Sequence, residues 1–148
     1  MSHPQHSISM LIVEDERVIR EVMDVMITRR FPDAAVYVAE NGEAGLELFI
    51  QHTPEIVITD IQMPVMDGIR MAVEIKSIHG GTRFIVLTAF SNTDYYEKFN
   101  EIGFHDFLPK PIEFDKLFAA IESCIDEIMM ERRQRESTPA GPGTGGMP

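Results

Sequence analysis

The stretch Glu55-Ile-Val-Ile-Thr-Asp-Ile-Gln-Met-Pro-Val-Met-Asp-Gly68 decides the fold. Ile56, Val57 and Ile58 form a short apolar run, which is typical of a β-strand that is buried on both faces. The run ends at Asp60, so a carboxylate is predicted where this strand emerges at its carboxyl end. In open α/β sheets, ligands bind at that edge. An aspartate after a strand more often caps a loop, so Asp60 alone does not identify a site.

The composition predicts one ordinary globular domain with short tails. The chain has 148 residues, of which 44% are apolar, and no window approaches the length of a membrane span. The opening residues Met1 to His6 lack the apolar core of a signal peptide. The single cysteine, Cys124, excludes an intramolecular disulfide and fits a reducing compartment. A net charge of −11 argues against direct nucleic-acid binding. We therefore predict a cytoplasmic protein that contacts neither nucleic acid nor membrane.

Alternating apolar runs and helical patterns predict an α/β fold. The predicted strands cover residues 8–13, 34–39, 56–60, 84–87 and 104–108, and helices are predicted over 17–30, from 42 for about a dozen residues, from 68 to about 78, over 91–102 and from 112 or 113. Because parallel neighbours need a crossover connection, five strands alternating with five helices predict a doubly wound parallel sheet.

We predict four segments along the chain. Residues 1–7 are expected to be a disordered lead, 8–128 the folded domain, 129–136 a helical extension and 137–148 a disordered tail rich in Gly and Pro. The last helix carries an apolar seam with alternating spacings of three and four. Two roles therefore remain open for the extension, namely a helical connection and a dimer contact.

Three helices have apolar stripes that are expected to face the core. The first stripe is Ile19, Val22, Met23 and Met26, the second is Ala72, Ile75 and Ile78, and the third is Tyr95, Phe99 and Ile102.

Polar side chains with useful chemistry follow three further predicted strands. Glu14 and Asp15 come after the first strand, Thr88 ends the fourth, and Lys110 follows the fifth between two prolines. Each has an ordinary explanation as a loop acid, a β-branched strand residue or part of a stiff surface loop. Glu14 and Asp15 are distinguished by their location, because they are predicted at the carboxyl end of a buried strand, as Asp60 is.

Asp60-Ile-Gln-Met-Pro-Val-Met-Asp-Gly68 resembles the phosphoacceptor segment of response-regulator receiver domains in two-component signalling. The resemblance covers about residues 8 to 128. It implies a flavodoxin-like (βα)5 three-layer domain with strand order 2-1-3-4-5. It also implies that Asp60 accepts a phosphoryl group from a histidine kinase or phosphotransfer protein, and that hydrolysis later resets the switch without enzymatic turnover.

The resemblance assigns a role to each polar residue at this edge. Glu14, Asp15, Asp60 and the backbone carbonyl of Gln62 are expected to hold Mg²⁺ or Mn²⁺. Such hard cations prefer oxygen ligands, and a cation would offset the mutual repulsion of the carboxylates. Thr88 and Lys110 are expected to contact the transferred phosphoryl group.

The resemblance also implies a switch and a lifetime for the phosphorylated state. Thr88 and Phe107 are expected to rearrange together and to change the face formed by the fourth helix, fifth strand and fifth helix. Phe107 stands where Tyr is commoner, so no phenolic hydroxyl is available there. Gln62 and Phe90 are expected to flank the path of the attacking water, and we predict that Phe90 slows hydrolysis.

Three other classes of protein share parts of this pattern. The main alternative is a phosphorylation-independent receiver-like module that binds proteins, although no acid or lysine of the pattern has been lost. A phosphatase with an Asp nucleophile is disfavoured because a second Asp would be expected where Gln62 stands. A flavodoxin is disfavoured by the acidic loop after the first strand. A single-domain regulator with a downstream partner, the receiver segment of a larger protein with a fused output domain, and a homodimer all remain open.

Overall fold

The computed structural model describes residues 7–89 and 93–137, without the side chains of 93–95 and 137. Most of the predicted disordered lead and tail therefore lies outside the described residues. In the described part, five strands alternate with five helices: β1 Ser9–Val13, α1 Arg17–Arg30, β2 Ala35–Ala39, α2 Gly42–His52, β3 Ile56–Asp60, α3 Gly68–Ile78, β4 Arg83–Thr88, α4 Thr93–Ile102, β5 Asp106–Pro109 and α5 Phe114–Ser137.

All strand pairs are parallel, and the order is β2-β1-β3-β4-β5, which confirms the predicted fold class. The register aligns the carboxyl ends of the central strands. Val13 pairs with Thr59, Asp60 with Leu87, and Thr88 with Pro109. The residues that follow these pairs therefore leave the sheet at one edge.

The sheet is the middle of three layers. Because side chains alternate along a strand, β1 and β3 each contribute to two apolar cores. Met10, Ile12 and Ile58 pack on the side of α1 and α5, whereas Leu11 and Val57 pack on the side of α2, α3 and α4. Every residue of β3 is buried, as expected for a central parallel strand.

Three details of the prediction are wrong, and a fourth is not tested. Val22 is exposed and Ile27 is buried, because the face that α1 turns to the sheet is centred on Met23 and Ile27. Ile78 is exposed, since it lies in the last turn of α3, beyond the buried Ile75. The fifth strand begins at Asp106, two residues later than predicted. Tyr95 was predicted to face the core, and its side chain lies outside the described residues.

The apolar seam of α5 packs on the sheet. Leu117, Ile121, Cys124 and Ile128 are all buried in the core on the α1 side. Burial raises the pKa of the Cys124 thiol to about 12, which makes it unreactive at neutral pH. The seam is therefore core, and it is not available as a free dimer contact.

Ion pairs hold the distal half of α5 against the amino edge of the sheet. Arg83 at the start of β4 contacts Glu127 at 3.1 Å and Glu131 at 2.6 Å. Arg132 pairs with Glu55, just before β3, and donates to the carbonyl oxygen of Ser7. The helix thus continues without a break through 129–136 and remains attached to the domain there.

Among the described residues, no helix combines the length and apolar character that crossing a membrane requires.

Gly68 begins α3 directly beneath the end of β3. Its amide donates to the carbonyl oxygen of Ile61 at 2.8 Å. A Cβ added at Gly68 would lie 2.2 Å from the backbone oxygen of Asp60 and 3.2 Å from the Thr59 hydroxyl. Only glycine allows this approach, which fixes the backbone on which the Asp60 carboxylate stands.

Gly68→Ala should lower the free energy of unfolding by about 1–3 kcal/mol, because the new methyl group overpacks against backbone atoms that cannot move independently. Gly80→Ala is the matched control, since a Cβ there would contact only the Lys76 carbonyl, at 3.9 Å. Its effect should stay within about 0.5 kcal/mol. Urea denaturation measures both, and equal stabilities of the two variants would contradict this account of the loop.

Candidate functional site

Asp60 lies at the carboxyl end of β3 and is mostly buried. Both of its carboxylate oxygens accept hydrogen bonds. The amide of Ile61 donates to Oδ1 at 2.8 Å, and the Lys110 ammonium donates to Oδ2 at 2.7 Å. The orientation of this carboxylate is therefore fixed by the backbone on one side and by a cation on the other.

Glu14 follows β1 and is completely buried beside Asp60. Lys110 donates to its Oε1 at 3.0 Å, and the amide of Glu16 donates to its Oε2 at 3.0 Å. Burial raises the pKa of Glu14 and outweighs the opposing effect of these hydrogen bonds. Because its pKa is raised, ionised Glu14 lowers the free energy of unfolding at neutral pH.

Lys110 bridges the two buried acids. Its backbone amide donates to the carbonyl oxygen of Thr88 at 2.7 Å, and the Lys110-Pro111 peptide is cis. Burial acts to lower the pKa of Lys110, but the hydrogen bonds and charges of Asp60 and Glu14 act more strongly, so that the pKa is raised. Lys110 is therefore firmly protonated at neutral pH.

Asp15 completes an acidic cluster at this edge. Glu14, Asp15 and Asp60 each offer one carboxylate oxygen, and these three atoms lie within 4.8 Å of one another. At such a separation, two buried carboxylates repel by about 3–4 kcal/mol at an effective dielectric constant of about 20. One lysine compensates only part of three negative charges. An all-oxygen cluster with excess negative charge fits a hard divalent cation such as Mg²⁺.

Gln62 is exposed on the loop that follows Asp60. The course of this loop is fixed further along by a tight turn, in which the amide of Met66 donates to the carbonyl oxygen of Pro64 at 2.8 Å. Val65, between them, has a positive φ of 71°. The carbonyl oxygen of Met66 in turn accepts from the amide of Gly42 at 2.9 Å. The loop is thus tied to the start of α2.

Thr88 and Phe107 lie on neighbouring strands near this edge. Thr88 is buried at the end of β4, and Phe107 is partly buried on β5. The Phe107 ring packs against Tyr96, Phe99 and Phe104. Phe90, the other predicted modulating residue, lies outside the described residues.

Two positioning residues were missed in the sequence. Arg20 Nη1 donates to the carbonyl oxygens of Glu14 at 2.9 Å and Asp15 at 3.3 Å, which fixes the acidic loop on α1. The Thr59 hydroxyl donates to the carbonyl oxygen of Asp60 at 2.8 Å. An arginine in a helix and a threonine in a strand are too common to mark these contacts in advance.

An apolar groove of about 500 Å³ opens beside Lys110, between α1 and the loop that precedes α5. Val18 in its wall is 72% exposed. The other apolar residues that line it are Ile19, Val22, Met23, Pro111, Ile112 and Phe114.

Residues 10–122 match the family model of the response regulator receiver domain. The chain belongs to this family, which confirms the resemblance seen in the sequence. Receiver domains are switches of two-component signalling and not turnover enzymes, and aspartyl phosphate and Mg²⁺ are features of the family.

Individual relatives agree with the family match. The chain is 33% identical to the chemotaxis protein CheY of Bacillus subtilis (strain 168) over 78% of its own length and 96% of that protein. It is 31% identical over 90% of its length to the DNA-binding transcriptional regulator NtrC of Escherichia coli (strain K12), but spans only 28% of that protein.

Solved structures show the same fold. The N-terminal domain of an uncharacterized protein (WS1339) from Wolinella succinogenes is 39% identical, with a TM-score of 0.78, and covers 85% of this chain and 99% of its own. A CheY-like receiver domain protein from Methanospirillum hungatei JF-1 has a TM-score of 0.76 at 21% identity, covers 84% and 98% of the two chains, and supports the fold alone.

Glu14→Gln should raise the melting temperature of the metal-free protein at pH 7, because the variant removes a buried charge whose pKa is raised by burial. We expect a gain of about 2–4 °C, which corresponds to about 1 kcal/mol for a domain of this size. Added Mg²⁺ should stabilise the wild type more than the variant, since the variant lacks one acid of the cluster.

Glu16→Gln is the control for this experiment, because the Glu16 side chain is exposed and outside the cluster. It should melt like the wild type with and without Mg²⁺. A lower melting temperature for Glu14→Gln in the absence of metal would contradict the proposed cost of the buried charge.

Proposed function

We propose that the chain is a phosphorylation-activated switch in which Asp60 accepts a phosphoryl group from a histidine kinase or phosphotransfer protein. The observation that carries the proposal is the Lys110 ammonium, 2.7 Å from Asp60 Oδ2, beside carboxylate oxygens of Glu14 and Asp15. This arrangement combines a fixed nucleophile, a fixed cation and the donors for a second cation.

The reaction is the transfer of a phosphoryl group between two proteins. A carboxylate oxygen of Asp60 forms a bond to phosphorus as the bond from phosphorus to the donor's histidine nitrogen breaks, and the product is an acyl phosphate. Glu14, Asp15, Asp60 and the carbonyl oxygen of Gln62 would hold Mg²⁺, which offsets negative charge on the incoming phosphoryl oxygens. Lys110 already points at the Asp60 carboxylate and supplies a further positive charge.

Residues of the same site would also recognise the phosphoryl group once it is attached to Asp60. Thr88 and Lys110 contact the bound phosphoryl oxygens, and Phe107 rearranges with Thr88. The phosphoryl group supplies contacts that only one arrangement can make, so it shifts an existing equilibrium of the α4–β5–α5 face. Water later attacks the acyl phosphate and releases inorganic phosphate. Gln62 and Phe90 are the residues expected to modulate this hydrolysis.

We further propose that the phosphodonor docks in the apolar groove beside Lys110. A donor must bring its phosphorylated histidine to Asp60, and this groove lies next to the lysine that contacts Asp60. Exposed Val18 and the neighbouring apolar walls offer it a surface that becomes buried on contact.

The output is proposed to be a partner protein or a fused domain that recognises the α4–β5–α5 face, with a homodimer as one form of that contact. Relatives such as NtrC are much longer than this chain. The net charge of −11 supports action without direct nucleic-acid binding, and signalling of this class supports a cytoplasmic location.

Incubation of the wild type with acetyl phosphate and Mg²⁺ should add one phosphoryl group, about 80 Da, as measured by intact mass. Asp60→Asn should abolish the gain, because an amide cannot form the acyl phosphate. Asp67→Asn is the matched control, since Asp67 lies in the same loop and only caps α3 through the amide of Arg70. A wild type that binds Mg²⁺ but gains no mass would favour the phosphorylation-independent module.

Val18→Asp should slow phosphorylation by a phosphorylated histidine kinase that labels the wild type, by about tenfold or more, because a charge would enter the apolar contact. Labelling by acetyl phosphate should be unchanged, since this small donor needs no groove. Ile50→Asp is the control, as Ile50 is also exposed, at 59%, but lies on α2. Equal kinase rates for both variants would place the donor elsewhere.

A further inference from the structure

Four aromatic rings meet between α4 and β5. Tyr96 contacts Phe104 at 5.5 Å and Phe107 at 5.4 Å between ring centroids, and Phe107 also contacts Phe104 at 5.5 Å and Phe99 at 6.5 Å. All four pairs are close to edge-to-face, with interplanar angles of 61° to 72°. This geometry is the favourable one for aromatic pairs.

Phe107 lies between two unequal neighbours in this cluster. Phe99 is fully buried and packs against Phe84, so it belongs to the rigid core. Tyr96 is 48% exposed, so its ring has solvent on one side. The orientation of Phe107 is therefore limited by a fixed ring on the inside and by a less confined ring on the outside.

The cluster adjoins the acceptor site. Val86 pairs with Phe107, and Thr88 pairs with Pro109. Side chains alternate along each strand, so residues two positions apart project from the same face of the sheet. Thr88 and Phe107 therefore share a face, and one residue pair, Leu87 with Leu108, lies between their positions. A movement of either side chain changes the space that is open to the other.

We propose that Tyr96 is a positioning residue that holds Phe107 in the orientation described above, that this orientation belongs to the unphosphorylated arrangement, and that Tyr96 thereby sets how readily the acceptor site is occupied. The inference rests on the proposed function, in which Thr88 and Phe107 rearrange together. Phe107 has no hydroxyl to anchor it, so its ring contacts hold it in place. In this proposal the Tyr96 contact belongs to the unphosphorylated arrangement and is weakened when Phe107 turns, which disfavours the phosphorylated arrangement by linkage.

The test uses beryllofluoride with Mg²⁺, because beryllofluoride attaches to a carboxylate oxygen and mimics a phosphoryl group without being hydrolysed. Tyr96→Ala should lower the Kd for beryllofluoride by about threefold to tenfold, the range that one or two aromatic pairs supply. Tyr96→Phe is the matched control, since it keeps the ring and removes only the hydroxyl. It should bind like the wild type.

A second variant protects the test against poor folding. Tyr96→Leu keeps an apolar side chain of similar reach without a ring, so it should tighten binding in the same direction as Tyr96→Ala. A purely structural role would lower the melting temperature of both variants and leave the Kd unchanged or raise it, which would overturn the inference.

The two proposals fail in different ways. If the wild type binds Mg²⁺ but no beryllofluoride, the proposed function is overturned and this inference with it. If the wild type binds beryllofluoride and all three Tyr96 variants bind it equally, only the role of Tyr96 is overturned.

Discussion

The Lys110 ammonium is shared between two buried carboxylates, and the rest of the site is built around that contact. Glu14 follows β1, Asp60 ends β3 and Lys110 follows β5, so the three groups meet only because the parallel register brings these strands to one edge. The positive charge of the lysine offsets part of the free-energy cost of burying the two acids. It does not neutralise the third, Asp15, and this charge imbalance makes the edge receptive to further cations.

The two edges of the sheet differ in how their charges are balanced. At the amino edge, Arg83 and Arg132 pair with acids of α5 and of the segment before β3, and these contacts hold the distal helix on the domain. At the carboxyl edge, Lys110 pairs with two of the three clustered acids, Glu14 and Asp60. The ion pairs at the amino edge stabilise the fold. At the carboxyl edge the three acids outnumber the one lysine, a pattern that is common at ligand-binding sites.

The sequence predicts those parts of the protein that depend on local pattern. Asp60, Glu14, Asp15, Thr88 and Lys110 could be named because each lies at the end of a recognisable apolar strand and matches the family pattern, and the strand order also came from the family resemblance. Contacts between distant segments were less accessible. Arg20 orients the acidic loop and Thr59 orients Asp60, each by donating to a backbone carbonyl oxygen. Every residue has a backbone carbonyl, so no sequence pattern predicts such contacts.

Helix faces and the aromatic cluster show the same limit. Periodicity placed Val22 and Ile78 in the core, but how far a helix rolls on the sheet and where its last turn ends decide which residues are covered. The apolar seam of α5 is heptad-like because it follows the sheet surface, and spacing alone cannot distinguish that from a coiled coil. Tyr96 became notable only through the rings it contacts.

The most direct test of the account is a crystal structure of the protein with Mg²⁺ and beryllofluoride. The account predicts one Mg²⁺ bound by oxygens of the Glu14, Asp15 and Asp60 cluster and the Gln62 carbonyl. It also predicts beryllofluoride on Asp60, with Lys110 and Thr88 contacting its fluorine atoms. A metal bound away from these acids, or an adduct on any other carboxylate, would contradict the central claim that this edge accepts a phosphoryl group with the help of a divalent cation.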